Sequence, residues 1–333
     1  MHRFPSPSRL LALAAVAMLA APAVQAQSTV TLFGLIDVSA GQSQAPGGPS
    51  TKGINSGNMT TSFFGVKGSE DLGGGLSAVF SLESFMRADT AEAGRFTGDT
   101  FWARNAYVGL SSGAGTLTLG RNTTSLFVNT LVFNAFGDSF GFSPAIRQTF
   151  TSGANFQASG DTGWSDSVKY ASPRFGGLSF TAQAALGEGN GGRNYGLSAM
   201  YFGGPFGVGF AWQRVEKGVG AFNPDTTSWQ LGGSYGFAPF KLYAQYGSTD
   251  NKTINNTTKV IGLGGDMVVG QVGKLMLQWG KLSPDVGADR KTISFGYDHQ
   301  MSKRTDLYAV YMHDKLSGLS AGKNYAVGVR HRF

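Results

Sequence analysis

The chain has 333 residues, no Cys, 50 Gly and only 14% charged residues. The lack of Cys excludes a disulfide scaffold and a thiolate metal site, and a 12% aromatic content argues against disorder. The 27 Lys and Arg residues outnumber 20 Asp and Glu, giving a formal charge of +7, but they are thinly spread. A nucleic-acid partner is therefore not expected, because such proteins concentrate basic residues on one face.

The N-terminus has the three parts of a secretory signal peptide. Two arginines precede an apolar run at 10–21, and Val24 and Ala26 occupy the two positions that a signal peptidase reads. The run is too short to span a bilayer as a helix, and a buried N-terminal helix is the alternative. We expect residues 1–26 to be removed, which leaves 27–333 as the mature chain.

Apolar and polar residues alternate with a period of two along the whole mature chain. In 178–186, Leu, Phe and Ala alternate with Ser, Thr and Gln, the pattern of a strand with one apolar and one polar face. The other clear examples are 28–39, 76–83, 229–237, 292–298 and 325–333. No segment shows a helical period, and none in the mature part is apolar over the roughly 18 residues of a transmembrane helix.

Short turns and longer polar stretches separate these segments in rough alternation. The short turns are 71–75, 112–115, 203–205 and 238–239, and the longer stretches are 42–58, 187–193, 217–227, 250–257 and 283–290. This two-ended pattern predicts an all-β fold, a transmembrane antiparallel β-barrel of about 16 strands with an apolar outer face and a polar lumen. A soluble sandwich, β-helix or propeller is the alternative, although the chain lacks a fixed repeat.

The longest stretch without clear alternation is 122–164. A barrel of about 16 strands has a backbone diameter of roughly 30 Å, so something must narrow it. The stretch contains seven Phe but only three ionisable residues, Asp138, Arg147 and Asp161. So many aromatic residues favour a segment packed inside the barrel as a constriction loop. An exposed or partner-covering loop is the alternative.

The order of motifs resembles the general porins of Gram-negative bacteria, in particular those of β-proteobacteria. The stretch 65–76 followed by Glu83 carries the most specific part of this resemblance. The remaining motifs are 28–34 with Asp37, 106–110, 115–121, 167–173 and 328–333. The resemblance covers essentially the whole mature chain. It implies a trimeric, 16-stranded barrel with an inward-folded third loop, and a last strand ending in Phe333 that the outer-membrane assembly machinery reads.

In that family, acids near the inner loop face arginines on the barrel wall, and the field between them selects ions. By position, Arg104 matches a wall arginine and Glu83 matches an acid of the strand after the Gly-rich turn. Asp138 is a candidate loop acid, and Arg147 lies in the same loop. Phe63 stands where the family usually has Arg. We therefore expect a weaker charge cluster, a more aromatic constriction and a mild preference for anions, with ordinary lumen polarity as the alternative.

The resemblance implies an outer-membrane porin, a water-filled channel for passive diffusion of small hydrophilic solutes and ions. A substrate-selective outer-membrane channel with an aromatic-lined constriction is the alternative. An enzyme is disfavoured because no nucleophile–base pair can be inferred, and the three mature histidines look unmatched for a metal site. An anchor or adhesin is also disfavoured, because such proteins usually add a periplasmic domain after the barrel. Expected partners are further copies in a homotrimer, outer-membrane lipid and lipopolysaccharide, and the barrel assembly machinery; no cofactor or metal is expected.

Overall fold

The computed structural model describes residues 28–150, 160–189, 191–216 and 225–333, so the predicted signal peptide 1–26 lies outside the described residues. Eighteen strands in these ranges form a single sheet. The strands are β1 (Thr29–Gln44), β2 (Ser50–Ser56), β3 (Phe63–Gly73), β4 (Leu76–Arg87), β5 (Glu92–Ala93), β6 (Asn105–Ser112), β7 (Gly115–Thr123), β8 (Gly163–Ala171), β9 (Leu178–Ala185), β10 (Asn194–Gly203), β11 (Phe206–Val215), β12 (Thr226–Phe237), β13 (Phe240–Asn251), β14 (Asn256–Val269), β15 (Gly273–Pro284), β16 (Arg290–Gln300), β17 (Thr305–Leu316) and β18 (Gly322–Arg332). Two short helices follow β7, namely α1 (Ser125–Val132) and α2 (Pro144–Phe150).

The sheet closes into a barrel because β1 pairs with β18 as well as with β2 and β3. Strands β2 and β3 pair in succession with the two halves of β1, so they form one interrupted strand of the wall. The two-residue β5 pairs only with the end of β4. The wall therefore has sixteen antiparallel strands, which confirms the predicted barrel.

The two faces of the wall differ as the alternation predicts. In β18, Tyr325, Val327 and Val329 are exposed on the outer face, whereas Asn324 and Arg330 are buried on the inner face. Closure of the sheet pairs the backbone groups that would otherwise face lipid. Short turns join the strands at one end of the barrel and longer loops at the other, and the loop end is the extracellular one in such barrels.

Residues 124–162 join β7 to β8 and are called the inner loop below; 151–159 of it lie outside the described residues. The sequence pattern predicts no helix there, yet α1 and α2 occupy half of the described part. The hydroxyl of Thr124 caps α1 by accepting a hydrogen bond from the backbone N–H of Phe127 (3.4 Å). Both helices have only about two turns, which is too short for a helical period to show in the sequence.

The predicted polar stretch 42–58 is also partly wrong, because β1 continues to Gln44 and β2 occupies Ser50–Ser56. The outer ends of these strands extend past the expected lipid band, so polar residues on both faces cost little and no alternation appears. No helix among the described residues is long and apolar enough to cross a membrane.

Candidate functional site

Asp37 holds the break in the second strand of the wall, residues 57–62. Its side chain is fully buried on the inner face of β1. One carboxylate oxygen accepts hydrogen bonds from the backbone N–H groups of Met59 (2.7 Å) and Thr60 (2.8 Å), and the other accepts one from the Tyr308 hydroxyl (2.6 Å). The carboxylate thereby supplies acceptors to N–H groups that have left the sheet ladder, which fixes the shape of the break.

The break binds the tip of the inner loop. The carbonyl of Asn58 accepts hydrogen bonds from the Ser139 hydroxyl (2.7 Å) and the backbone N–H of Gly141 (3.1 Å). The Thr60 hydroxyl donates to the carboxylate of Asp138 (3.2 Å). The position of the predicted loop acid is therefore set by the same segment that Asp37 holds.

Glutamines on the inner face of the wall bind the helical half of the loop. The Asn129 amide donates to Gln230 on β12 (2.8 Å), and the backbone N–H of Ala135 donates to Gln278 on β15 (2.8 Å). The side chain of Gln245, on β13, donates to a backbone carbonyl of α1 (2.7 Å). These bonds replace the hydrogen bonds that the loop backbone would otherwise make to water, so the loop lies against the wall from β12 to β15.

Aromatic rings of the loop fill the contact with the wall. Phe133 is fully buried over Gly209 and Gly232, which are directly opposite each other on β11 and β12. A Cβ atom on either glycine would lie 2.4 Å from a ring carbon of Phe133. Phe136 and Phe142 are buried in a cluster with side chains of β15 and β17. These rings therefore attach the loop to the wall and do not face the lumen.

The other described phenylalanines of the loop pack against one another, with Phe127 stacked on Phe140 and edge-to-face with Phe150. The ring centroid of Phe127 lies 5.9 Å from that of Phe140 and 5.4 Å from that of Phe150. Phe127 and Phe140 are partly exposed, whereas Phe150 is buried. The seventh phenylalanine, Phe156, lies outside the described residues.

Three of the predicted constriction residues meet on the wall opposite the loop. The Glu83 carboxylate on β4 forms an ion pair with Arg104, and accepts hydrogen bonds from the Ser81 hydroxyl (2.7 Å) and the Asn105 amide (3.1 Å). The guanidinium of Arg104 lies 3.9 Å from the ring centroid of Phe63. Phe63 stands at the position where the family usually has a further arginine, and its ring makes a cation–π contact with Arg104 instead.

Asp138 joins this group electrostatically, because its charge and that of Arg104 attract each other across the lumen. Arg147 lies elsewhere. Its guanidinium donates to a backbone carbonyl of the loop, that of Phe140 (3.1 Å), and is 3.7 Å from the carboxylate of Asp314 on β17. The structure therefore brings four of the five predicted constriction residues together. It places Arg147 against β17, within the part of the wall that the inner loop covers, β11 to β17, which is called the covered wall below.

A charge cluster that the sequence pattern did not predict lies on the last three strands. Arg330 donates to Asp306 (2.6 Å) and Thr60 (3.3 Å) and forms an ion pair with Asp298. Arg332 donates to the second oxygen of Asp306 (2.6 Å). The sequence feature that could have predicted this cluster is the polar face of these strands, which carries acids and arginines near the same end of the barrel. The cluster is internally neutralised and touches the break through Thr60.

The wall that the inner loop leaves open, β3 to β9, is called the uncovered wall below, and it carries basic side chains with few acidic partners. The ammonium group of Lys169 on β8 donates to the backbone carbonyl of Thr123 (2.7 Å) and borders a cavity of about 270 Å³. Of the described residues that line this cavity, Lys169 alone is charged. The ammonium group of Lys67 on β3 lies 4.6 Å from the ring centroid of Phe33. This side of the lumen is therefore positively charged.

Asp161 links the base of the inner loop to the loop between β4 and β6. Its carboxylate accepts from Arg95 (2.7 Å) and forms an ion pair with Arg121. Arg95 also donates to Asp99 (2.8 Å). Burial alone would raise the pKa of Asp161, but the charges and hydrogen bonds of the two arginines hold this pKa below its usual value.

Phe333 pairs with the first strand at the turn end of the barrel. Its backbone N–H and carbonyl exchange two hydrogen bonds with Gly34, each of 3.1 Å. The ring lies over Gly34, where an added Cβ atom would be 2.5 Å from a ring carbon. Phe333 therefore continues the β1–β18 contact, while its role in assembly stays a prediction.

The mature histidines contact separate neighbours. The Nδ1 atom of His299 lies 3.1 Å from the Tyr297 hydroxyl, and that of His331 lies 2.9 Å from the Thr305 hydroxyl. Within the described ranges, no three His, Asp or Glu side chains are grouped in a way that could hold a metal ion.

Comparison with known proteins gives one consistent result. A profile described as "Gram-negative porin" matches residues 12–319. The chain is 31% identical to outer membrane porin protein 32 of Delftia acidovorans, over 97% of this chain and 99% of that protein. It is 28% identical to an outer membrane porin protein of Bordetella pertussis, over 96% and 99% of the two chains. Among solved structures, it is similar to the anion-selective porin from Comamonas acidovorans, with a TM-score of 0.78 and 27% identity over 92% of this chain and 100% of that one.

Proposed function

Because the chain belongs to the Gram-negative porin family and forms a channel of the outer membrane, we propose that the inner loop narrows this channel and that its charges favour anions mildly. Small hydrophilic solutes and ions then diffuse down their gradients through a water-filled lumen. The proposal involves no catalytic step and no cofactor.

The contacts of the inner loop support the narrowing. The loop binds the break at 57–62 and the wall from β11 to β17, so the passage runs along the inner faces of β3 to β9. An empty barrel of sixteen strands is roughly 30 Å across its backbone. A two-helix segment inside it, at about 10 Å per helix, removes a large share of that width. The exclusion size is therefore set by the loop.

The unequal distribution of charge along the passage is the observation that carries the anion preference. Lys67 and Lys169 face the lumen, and Glu83 neutralises Arg104 in part. Asp138 on the loop adds a negative charge opposite Arg104. The excess of basic groups raises the local concentration of anions, while the two acids keep the preference small. A structural relative of this chain is described as an anion-selective porin.

A passage for general solutes fits the loop better than an aromatic filter. Four of the six described phenylalanines are buried between the loop and the wall or against each other, namely Phe133, Phe136, Phe142 and Phe150. The polar groups around Lys169 and Arg104 line the remaining space. A substrate-selective channel would instead need exposed rings at its narrowest point.

We propose the same partners that the resemblance implies. An exposed apolar cluster on the outer face, formed by Phe64, Phe101 and Trp102 with centroid separations of 6.2 and 4.7 Å, supports contact between copies in a homotrimer. The barrel assembly machinery would read the last strand with Phe333. Lipopolysaccharide would contact the outer face at its extracellular end.

Planar-bilayer recording of the purified protein tests the proposal. We expect stepwise openings, and a reversal potential in a KCl gradient that shows a modest excess of chloride permeability. A strong cation preference would contradict the charge argument. A small conductance that one particular solute blocks would favour the substrate-selective alternative.

A further inference from the structure

Polar side chains of three neighbouring strands line a cavity on the uncovered wall. This is the cavity of about 270 Å³ beside Lys169, called the Lys169 cavity below. Its lining comes from β6, β7 and β8 and includes Asn105, Tyr107, Thr118 and Asn122. The anion preference proposed above uses only the charge of Lys169. A diffuse electrostatic effect requires none of the uncharged side chains that surround this ammonium group.

Two glycines keep the cavity free of further side chains. On the inner faces of β6 and β7, Gly109 lies opposite Thr118, and Gly120 lies opposite Tyr107. In contrast to the glycine pair under Phe133, the nearest atoms to an added Cβ at either position belong to the neighbouring strand and not to the inner loop. The Lys169 cavity is therefore left open to the lumen.

The ammonium group of Lys169 has hydrogen-bond donors to spare. It carries three N–H donors, and the hydrogen bond to the backbone carbonyl of Thr123 (2.7 Å) uses one of them. Among the described residues, no acid lines the cavity. The carboxylate of Glu83, at its edge, is already paired with Arg104. A negatively charged group on a ligand satisfies both the charge and the remaining donors of Lys169.

The hydroxyl groups of the lining have the opposite requirement. Thr118 donates its single hydroxyl hydrogen to the side chain of Asn122 (2.8 Å), and Thr123 donates its own to the side chain of Asn105 (3.0 Å). The side-chain amides of both asparagines donate to other protein groups. A hydroxyl oxygen that has given up its hydrogen still accepts. A ligand with O–H donors therefore complements this part of the lining.

We propose that the Lys169 cavity binds a polyhydroxy carboxylate, the chemical class of the sugar acids. The inference rests on the proposed function, because a solute reaches this wall through the channel. The carboxylate accepts from Lys169, the hydroxyls donate to Thr118 and Thr123, and the carbon chain lies against the ring of Tyr107. Pockets for small molecules begin at roughly 300 Å³, so a cavity of about 270 Å³ suits one solute of monosaccharide size.

The cavity lies beside the predicted constriction, on its turn side. Asn105 lines the cavity and also donates to Glu83 (3.1 Å), the partner of Arg104. At the other end, Ala171 is the last residue of β8 before the turn to β9. A solute that has passed Arg104 therefore meets Lys169 next. The site favours one class of organic anion over simple anions, which the charge of the lumen alone does not do.

Titration calorimetry of the full-length protein in detergent measures this binding independently of conduction. Gluconate is the probe. Glucose supplies hydroxyls without the charge, and acetate supplies the charge without the hydroxyls. We expect saturable binding of gluconate, about tenfold tighter than that of glucose or acetate, because each of these lacks one half of the hydrogen bonds.

Three variants assign the binding to the cavity. Lys169→Gln should weaken gluconate binding by about tenfold or more, since it removes a charged donor. Ala171→Leu keeps every charge and fills the cavity, so it should weaken binding by a similar factor even if Lys169→Gln does not fold. Lys67→Gln is the matched control, because it removes an ammonium group from the same wall outside the cavity. It should lower the chloride preference and leave the affinity for gluconate unchanged.

Four results would overturn the sugar-acid site. The first is no saturable binding of gluconate by the parent protein. The second is an unchanged affinity in a folded Lys169→Gln or Ala171→Leu variant. The third is an equal loss of affinity in Lys67→Gln, which would indicate an effect of general lumen charge. The fourth is binding of glucose or acetate as tight as that of gluconate, which would indicate a site for hydroxyls alone or for charge alone.

Bilayer recordings on the same preparations separate this site from the channel proposal. A cation preference with intact gluconate binding would contradict the charge argument for the channel and support the site. An anion preference without gluconate binding would overturn the site and leave the channel proposal in place.

Discussion

The covered and uncovered walls of the lumen differ in how their charged side chains are paired. Where the inner loop packs, charged groups occur in pairs and clusters, as with Arg330, Asp306 and Asp298 or with Arg290 and Asp314. On the uncovered wall, Lys169 borders an open cavity without an acidic neighbour. Burying an unpaired charge costs on the order of several kcal/mol, whereas a charge that stays in contact with water costs little. The position of the loop therefore decides which wall can carry net charge.

The largest effect is expected from a substitution that forces the loop off the covered wall. In Gly232→Val, the new Cβ atom would lie 2.4 Å from a ring carbon of Phe133. Overpacking of this kind typically costs about 1–3 kcal/mol, and release of the loop relieves it. We expect a severalfold rise in single-channel conductance and faster uptake of large sugars in vesicle-swelling assays.

Gly233→Val is the matched control for that experiment. It adds the same side chain one residue later, on the outer face, where the nearest neighbouring atom would be 3.9 Å away. Its conductance should equal that of the parent protein. Equal conductance in both variants would mean that Phe133 does not hold the loop.

Removing the charge of Asp37 should loosen the break that binds the loop tip. Asn at this position replaces one carboxylate oxygen with a donor, which then faces either the N–H groups of Met59 and Thr60 or the Tyr308 hydroxyl. An unsatisfied buried group costs about 1–3 kcal/mol. We expect a lower unfolding temperature and more frequent current fluctuations in Asp37→Asn.

Asp71→Asn provides the comparison for Asp37→Asn. Asp71 accepts a hydrogen bond from Gly73 in an exposed turn (2.9 Å), and surface substitutions of this kind usually stay within about 0.5 kcal/mol. Equal destabilisation by both variants would show that the Asp37 contacts contribute nothing special.

Substitutions on the uncovered wall should change ion selectivity by a smaller amount, and the direction of the change should depend on whether a basic or an acidic group is removed. Lys169→Gln removes a lumen charge, so the permeability ratio of chloride to potassium should fall toward one, most clearly at low salt. Glu83→Gln frees Arg104 and should move the ratio in the opposite direction. Lys303→Gln, in an exposed turn, should leave the reversal potential unchanged. A shift of the same sign in Lys169→Gln and Glu83→Gln would refute the assignment.

The smallest effect concerns the link at the base of the loop and depends on pH. Arg95 and Arg121 lower the pKa of Asp161, so its stabilisation is present above the unfolded value near 3.9 and is lost as pH falls through the lower folded value. Asp161→Asn should lower stability by about 1 kcal/mol at pH 7. Thermal unfolding at about pH 7 and below about pH 3 should show this difference disappear on acidification; a constant difference would contradict the linkage.

Sequence periodicity predicted the wall well because the alternation within each strand is enough to identify its apolar and its polar face. The alternation in 178–186 and 325–333 is visible without knowledge of neighbours, and the limits 122–164 differ from the observed loop by only two residues at each end. Glu83 follows the motif 65–76 and lies on β4, whereas Arg104 directly precedes β6 and the motif 106–110, and the two side chains form an ion pair. The charge roles of these residues stay predictions.

Contacts between distant strands were not predictable in the same way. Nothing in the sequence distinguishes Gly209 and Gly232 from other glycines. Only the register of β11 against β12 shows that they lie side by side and leave space for the ring of Phe133. Asp37 was visible as a polar residue of β1, but its acceptors serve a break that begins twenty residues later. Polar residues on both faces near 42–58 concealed that break.

The inner loop is fastened at several separated places, from Asn58 near β2 to Gln230 and Gln278 on the opposite wall. No single end of the loop can swing away while the other bonds hold. Thermal motion of the described part of the loop, 124–150, is therefore restricted to small displacements, and the open state should carry a quiet current with little flicker. Closure by an applied voltage would have to break several contacts together, so it would be recorded as rare, complete steps and not as a gradual decline.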